Sequence, residues 1–570
     1  MAGSFKYWTD ISEAMRPSLW TPEKCESFVE NGWWPNKTIL DYVSDSATDT
    51  PDRVALVDER TTYTYAELAD AVDNVALGLV AHGVEPDNML AVQLPNRIEG
   101  VVVHLAAIRA GAIPNPIVTI YRENELRYML DKLDSVAYFA VKEHCGFDFE
   151  RMIRGIADEF DALENVFVLD DGEALVDETR SLTALFETDW AAQTDSDHRT
   201  LDDREVGPND TSLVLFTSGT TGMPKGVMHT ENTLLSAMSS QIDVLGLTSD
   251  DVIFAPSPIG HLTAIQNGYR AAFMLGTACV LQEQWDGSRA LEWIESEGAT
   301  YTAGATTFLT DMTNSENFEE YDTSSLRLMM TGGAPIPPEA VQEAHEQFEN
   351  LTVCRGWGQT ENTLPTINFP TDPTEALRTK DGRPYDGMEV RIASPETFDA
   401  ALPGETGELQ VRGPFLFLGY YDDPERTAAS FTADGWLKTG DKASIDDDGY
   451  VTIEGRLKDV IIRGGENIPV REVEADLRDH PSVGEVALVA MPDERLQERA
   501  CAYVRPADPA TPPSFEEVIN YLTERGYITQ RLPERLELID EFPRNAIGKI
   551  QRYKLREDVA EQLDMDPVTR

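Results

Sequence analysis

The stretch LVLFTSGTTGMPKGV, Leu213 to Val227, constrains this chain more than any other. An apolar run of strand character empties into a loop holding Thr217, Ser218, Gly219, Thr220, Thr221 and Gly222, closed by Lys225 and Gly226. Glycines let backbone N–H groups turn toward an anion, hydroxyls add donors, and a lysine supplies charge. A polyphosphate cradle requires this composition. It is not a Walker A loop, because G-x-x-x-x-G-K-[ST] would need a glycine where Pro224 stands. So long a run of these residues is a poor fit to an ordinary mobile loop.

The surrounding pattern from about Thr62 to Thr360 alternates short apolar runs with longer amphipathic segments. Strands are predicted at Val136–Val141, Val166–Leu169, Ser212–Phe216, Val252–Ala255, Leu326–Met330 and Leu351–Cys354, and helices at Arg97–Ala110 and Glu125–Leu133. Such alternation implies parallel α/β layers. Shorter runs with Gly and Asp turns between Gly407 and Gly455 read as a small antiparallel sheet or barrel. A compact α+β pattern follows Arg456, with strands at Asp459–Ile462, Val486–Ala490 and Ala500–Val504 and a helix at Val470–Leu477. The polar segment Thr188–Asp210 is predicted as a surface loop. The organisation expected is an N-terminal domain over 1–455, a hinge at 456–459 and a C-terminal domain over 460–570.

Charge bears on environment more than on chemistry. The 101 Asp and Glu outnumber 47 Lys and Arg, for a formal net charge of −54. Such an excess repels itself, and becomes tolerable where salt is concentrated, since at 1 M the screening length is ~3 Å. The acids are spread along the chain rather than gathered in a tail, which points to an intracellular protein of an extreme halophile. No basic face for nucleic acid remains. No apolar run approaches the ~20 residues of a membrane span, and the first residues lack a signal-peptide pattern, so a cytoplasmic location is expected. Cys25, Cys145, Cys279, Cys354 and Cys501 are scattered without metal-ligand spacing and read as reduced, buried thiols.

Six motifs in order resemble those of the adenylate-forming superfamily of acyl-CoA synthetases, carrier-loading adenylation domains and luciferases. They are the loop above, LMMTGGAPIP (Leu328–Pro337), GWGQTEN (Gly356–Asn362), WLKTGD (Trp436–Asp441), GRLKDVIIRGGENI (Gly455–Ile468) and PRNAIGKI (Pro543–Ile550). NPIVTIYRENELRYML (Asn115–Leu130) and RGGENIPVREVE (Arg463–Glu474) resemble the cyclohexanecarboxylate and medium-chain acyl-CoA ligase branch. The resemblance implies a large N-terminal domain of layered α/β sheets with a small β-barrel, followed by a small mobile α+β lid. It implies ATP, Mg²⁺ and coenzyme A, with a small carboxylic acid activated as its adenylate and then transferred to the thiol.

Carried over residue by residue, the resemblance puts adenine beside Gly333, Ala334, Pro335, Trp357 and Gly358, the α-phosphate on Thr360, Mg²⁺ on Glu361 and the ribose on Asp441. Arg456 assists at the ribose or phosphate. Lys549 is the catalytic cation bridging α-phosphate and carboxylate, Lys458 is the hinge, and Gly464 and Gly465 border the pantetheine channel. His261, in SPIGHLTA, gates the carboxylate. Trp357 stands where the family has tyrosine, keeping a stacking surface but losing a hydroxyl.

The acyl pocket is expected to be walled by Ile259, Ala303, Gly304, Thr331, Gly332, Gly356, Trp357 and Leu364, leaving room for a medium-chain, alicyclic or aryl acid. No fixed acid among them would pair an amino group. Other readings are a carrier-protein-loading adenylation enzyme, a luciferase-type activity, and a nucleotide-binding sensor without turnover; intact Glu361, Asp441 and Lys549 oppose the last. No HIGH or KMSKS stretch supports a tRNA synthetase.

Overall fold

The computed structural model describes residues 21–193, 198–204, 206–217, 224–333, 336–394, 402–457, 461–463, 466–468, 470–493, 495–525, 527, 529–544 and 549–568. The apolar runs that alternate with helices pair as parallel strands, since each intervening helix carries the chain back to the same end of the sheet. The larger sheet has nine strands. Its centre is Thr352–Trp357, Leu328–Thr331, Tyr301–Gly304, Ile253–Ala255, Cys279–Leu281 and Val54–Val57, all parallel. Short antiparallel strands finish both edges. A second sheet of five parallel strands runs Ile113–Pro116, Met89–Gln93, Ala137–Val141, Asn165–Leu169 and Arg180–Ser181. Met89–Gln93 and Ala137–Val141 are buried at every position, as strands covered on both faces must be.

The phosphate-loop segment is a hairpin. Thr211–Thr217 pairs antiparallel with Lys225–Thr230, with Thr217 opposite Lys225, and Gly419–Tyr420 adds a third strand. Ser218 to Met223, between the first two strands in sequence, lie outside the described residues. The Gly- and Asp-rich region after this forms a four-stranded antiparallel sheet of Glu389–Ala393, Gly407–Arg412, Leu437–Ile445 and Val451–Arg456. In the C-terminal part, Val483–Asp493 and Gln497–Pro506 form a long hairpin, joined by Ile461–Arg463, Glu466–Ile468 and Arg535–Leu538 and packed by Val470–Arg478 and Arg552–Gln562. Apolar clusters reaching Val451 and those beginning at Ile461 share no residue, so the chain has separate cores on either side of that point. Among the described residues no helix is long and apolar enough to cross a membrane.

Two local expectations are corrected. Within Thr188–Asp210 the chain makes two single-turn helices, Trp190–Gln193 and His198–Asp202, too short to leave a periodic pattern. Cys145 is exposed, in a left-handed turn at φ 50°, while Cys25, Cys279, Cys354 and Cys501 are buried free thiols.

One buried ion pair ties three distant segments together. Arg270 donates to both carboxylate oxygens of Glu231 at 2.8 Å, and Glu231 also accepts the Ile39 N–H at 2.8 Å. The two side chains are 1% and 0% exposed. Breaking such a pair on one side leaves a buried uncompensated charge. Glu231→Gln is therefore expected to lower stability by about 3–5 kcal/mol in urea unfolding in molar KCl. Asp45→Asn, which breaks the exposed Lys37 pair, should cost no more than about 1 kcal/mol.

Candidate active site

A cleft of about 610 Å³ lies between the N-terminal layers and the segment that leads into the last helix. Its lining reverses the character of the chain. Lys225, Lys438, Arg456, Lys549, Arg552 and Arg556 border it, against two carboxylates, Glu361 and Glu408. Three of the chain's 12 lysines are therefore in one cleft of a molecule whose net charge is −54. Low-dielectric walls carrying one sign of charge focus an attractive field on anions. Arg552 is held in place by Glu474, at 2.5 and 2.9 Å, and donates to the Leu488 carbonyl at 2.8 Å.

Beneath the cleft's lining the Asp441 carboxylate is gripped from three sides. The indole N–H of Trp357 donates to Oδ2 at 2.8 Å, the Gln359 amide donates to the same oxygen at 3.0 Å, and Arg456 Nε approaches Oδ1 at 2.7 Å. Asp441 and Trp357 are buried, whereas Gln359 and Arg456 face the cleft. Tryptophan thus restores the polar handle that loss of a tyrosine hydroxyl was expected to remove: its N–H fixes the carboxylate. Gly358 is required where it stands, because a Cβ there would lie 1.8 Å from the Thr363 carbonyl oxygen.

Thr360 and Glu361 are held by partners that the sequence did not single out. His229, fully buried, donates through Nε2 to the Thr360 carbonyl at 2.6 Å. The Tyr420 hydroxyl donates to Glu361 Oε1 at 2.9 Å, and Lys225 Nζ lies 3.4 Å from that hydroxyl and 4.8 Å from its ring centre. Burial and the neighbouring carboxylate push the Tyr420 hydroxyl pKa well up, so it stays a donor. The hairpin lysine and the Glu361 loop therefore meet on one side chain. The Gly-Tyr step ahead of an acidic turn was the available signal, and it was weak.

At the other end, Asn96 anchors the segment carrying His261. Its amide donates to the Ser257 carbonyl at 2.8 Å and its oxygen accepts the Ile259 N–H at 2.8 Å. Gly260 passes so close to Ile117 and Val118 that a Cβ would meet their backbone at 2.5 Å. His261 caps the helix Leu262–Ala264, its Nδ1 accepting the Thr263 N–H at 3.2 Å. Burial lowers its pKa to about 4, so the ring is neutral with its proton on Nε2.

Among the expected site residues, Thr217, Lys225, His261, Gly332, Gly333, Gly358, Thr360, Glu361, Arg456 and Lys549 line this cleft together. Of the residues expected to wall an acyl pocket, Gly304 and Leu364 line the cleft as well, but Ile259, Ala303, Thr331 and Gly356 are buried beside it and do not. Ala303, Thr331 and Gly356 lie within strands of the large sheet, and Ile259, in the turn before His261, packs into the apolar core. Ala237, Gln241, Gln266, Asn267 and Met330 wall the cleft in their stead. Ser218, Gly219, Thr220, Thr221, Gly222, Ala334, Pro335, Lys458, Gly464 and Gly465 lie outside the described residues.

Comparison with known proteins gives a family match over most of the chain. The family described as AMP-binding enzyme matches residues 43–421, and its C-terminal domain matches residues 472–549. The chain is 34% identical to the medium-chain fatty-acid–CoA ligase of Escherichia coli K12, over 95% of this chain and 94% of that protein. It is 31% identical to the 2,3-dihydroxybenzoate-AMP ligase of Bacillus subtilis 168, over 95% and 98%. The crystal structure of ATP-bound MatB from Rhodopseudomonas palustris superposes with a TM-score of 0.78 at 28% identity, covering 91% of this chain and 98% of that one.

Buried neutral imidazoles make stability depend on pH. Burial lowers the pKa of His104 to about 3 and of His229 to about 4, from an ordinary 6.5. The unfolded chain therefore binds more protons between these values, and stability complete above about 6.5 is lost as pH falls through it. Going from about pH 7.5 to about pH 5 should remove about 2 kcal/mol per histidine in urea unfolding in molar KCl. His229→Gln should flatten the slope; equal slopes would refute the assignment.

Proposed function

The chain belongs to the AMP-binding enzyme family, and from that premise we propose that it is an AMP-forming acid–CoA ligase. It joins a carboxylate to the α-phosphate of ATP, releasing pyrophosphate, and passes the acyl group of the resulting adenylate to the thiol of coenzyme A. The observation that carries this reading is the cation-lined cleft in a strongly acidic chain, with Lys549 and Thr360 both on its wall.

The first step brings a negative nucleophile to a negative phosphorus, so its barrier is chiefly electrostatic. Lys549 would stabilise charge on the α-phosphate and the attacking carboxylate. Lys225 would bind the outgoing pyrophosphate from the hairpin, and Thr360 would orient the α-phosphate. Asp441 is the ribose acceptor, preset by Trp357, Gln359 and Arg456. The neutral His261 offers Nε2–H to the acid's carboxylate end. Glu361 fits Mg²⁺, which uses one or two carboxylates plus substrate phosphates rather than a full protein cage. When bound, Mg²⁺ supplies charge neutralisation along the triphosphate. In the second step the C-terminal part would turn at Lys458, withdrawing Lys549 and bringing Gly464–Gly465 to the pantetheine arm.

The acid is of medium-chain, alicyclic or aryl type. Likeness to a medium-chain fatty-acid–CoA ligase supports free coenzyme A as acceptor. Likeness to a 2,3-dihydroxybenzoate-AMP ligase supports a second reading, delivery of the adenylate to a carrier-protein phosphopantetheine. Mass detection of acyl-CoA with free coenzyme A separates the two. The net charge of −54 further suits a cytoplasm of concentrated salt.

Lys549→Ala is expected to lower acid-dependent ATP–pyrophosphate exchange at least about 100-fold while thioester formation from supplied acyl-AMP changes less than about threefold. Equal losses in both would contradict the role. Dilution from molar KCl to about 0.1 M, where the screening length grows to ~10 Å, should inactivate the enzyme through charge repulsion. Full activity in dilute buffer would contradict the halophile reading.

A further inference from the structure

The acyl end of the cleft is walled by amides rather than by hydrocarbon alone. Gln241, Gln266 and Asn267 are 2%, 5% and 6% exposed, and all three line it. Gln241 Nε2 donates to Asn267 Oδ1 and, at 2.8 Å, to the Tyr301 hydroxyl, which donates onward to Asn267 Oδ1 at 2.8 Å. This closed triangle consumes the donor end of Gln241 and the acceptor end of Asn267. Among the described residues, Gln241 Oε1 and Asn267 Nδ2 then have no protein partner. Gln266 is fixed by its Nε2–H donated to the Leu234 carbonyl at 2.8 Å, and its Oε1 is buried without a partner. The backbone here is a π-helical turn, Ile265–Arg270, opened at Gly268 (φ −98°, ψ −110°). Such turns are frequent at functional sites.

A purely aliphatic tail would cover the ends of Gln241 and Asn267 without meeting them, at about 1–3 kcal/mol for each group so buried, and is a poor occupant. The complement must both accept from Asn267 and donate to a glutamine oxygen. A ketone cannot donate. A second carboxylate would find acceptor oxygens and no spare cation, because Arg270 is committed to Glu231. An ammonium would find no carboxylate among the lining residues of this end. A hydroxyl satisfies both requirements. We propose that the pocket is built for a carboxylic acid bearing a hydroxyl remote from its carboxylate, with Asn267 Nδ2 donating to that oxygen and Gln241 or Gln266 Oε1 accepting its proton. Asn267 follows His261 by six residues on the same helical stretch. The inference rests on the acid–CoA ligase reading for which end carries the carboxylate.

Matched acids test it: cyclohexanecarboxylate against its analogue hydroxylated opposite the carboxyl, and octanoate against ω-hydroxyoctanoate. Binding is measured by calorimetry and turnover by ATP–pyrophosphate exchange, both in molar KCl. At least one hydroxy acid of these pairs is expected to show at least about tenfold lower Kd and tenfold higher kcat/KM than its parent, since a site built to bond a hydroxyl rejects the analogue lacking it. Asn267→Leu should reduce that ratio below about threefold. Parents that bind and react as well as both hydroxy acids overturn the proposal and leave the ligase reading intact. Tighter hydroxy-acid binding without exchange on any acid supports the pocket assignment and refutes the ligase reading.

Discussion

The site depends on holding positive charge together inside a molecule that is otherwise strongly negative. Six cations converge on a cleft with two carboxylates, in a chain of net charge −54. Left without an anionic occupant, those cations repel one another, and the structure contains them by local pairing: Arg456 with Asp441 and Arg552 with Glu474. At 1 M salt the screening length is ~3 Å for an exposed acidic exterior, while charges in a partly enclosed cleft are screened much less. Salt at that strength would weaken the repulsion of the exterior more than the cleft's attraction for an anion.

Around this charge the fold distributes three tasks. The hairpin Thr211–Thr230 brings Lys225 to Tyr420, which also holds Glu361. The antiparallel sheet carries Asp441 and Arg456 on adjacent strands in register, so the pair forms wherever that sheet forms. The segment after Ile253–Ala255, anchored by Asn96, sets His261 on the wall of the cleft. Lys225, Glu361, Asp441, Arg456 and His261 each have a bonded partner in place, and groups held in advance in this way avoid reorganisation cost.

Much of this was legible in the sequence because it is local. The glycine- and hydroxyl-rich loop, WGQTEN and WLKTGD are contiguous; the loop's anion-binding composition is readable from residue type, and the roles expected of the other two come from their resemblance to the adenylate-forming superfamily. Alternation of apolar runs foretold the parallel layers, and Gly-Asp turns foretold the antiparallel sheet. What escaped is long-range. Gln241 sits in the helix Glu231–Leu245 and Asn267 in a later turn, and nothing in either segment shows that their amides meet over Tyr301. Ile259, Ala303 and Thr331 look like pocket lining by their nearness to motif residues, yet pleat and packing point them into the core. Trp357 shows the converse: its identity was legible, while its N–H bond to Asp441, 84 positions away, was not.

The central claim is that this cleft holds a nucleotide with its phosphorus between Thr360 and Lys549 and its ribose on Asp441. A crystal structure of the protein with a non-hydrolysable acyl-adenylate mimic, grown in molar KCl, measures it directly. The account predicts the mimic's phosphorus-bearing group within hydrogen-bond reach of Lys549 Nζ and both ribose hydroxyls on Asp441. A mimic seated elsewhere, or bound in this cleft with Lys549 distant from the linkage, would contradict it.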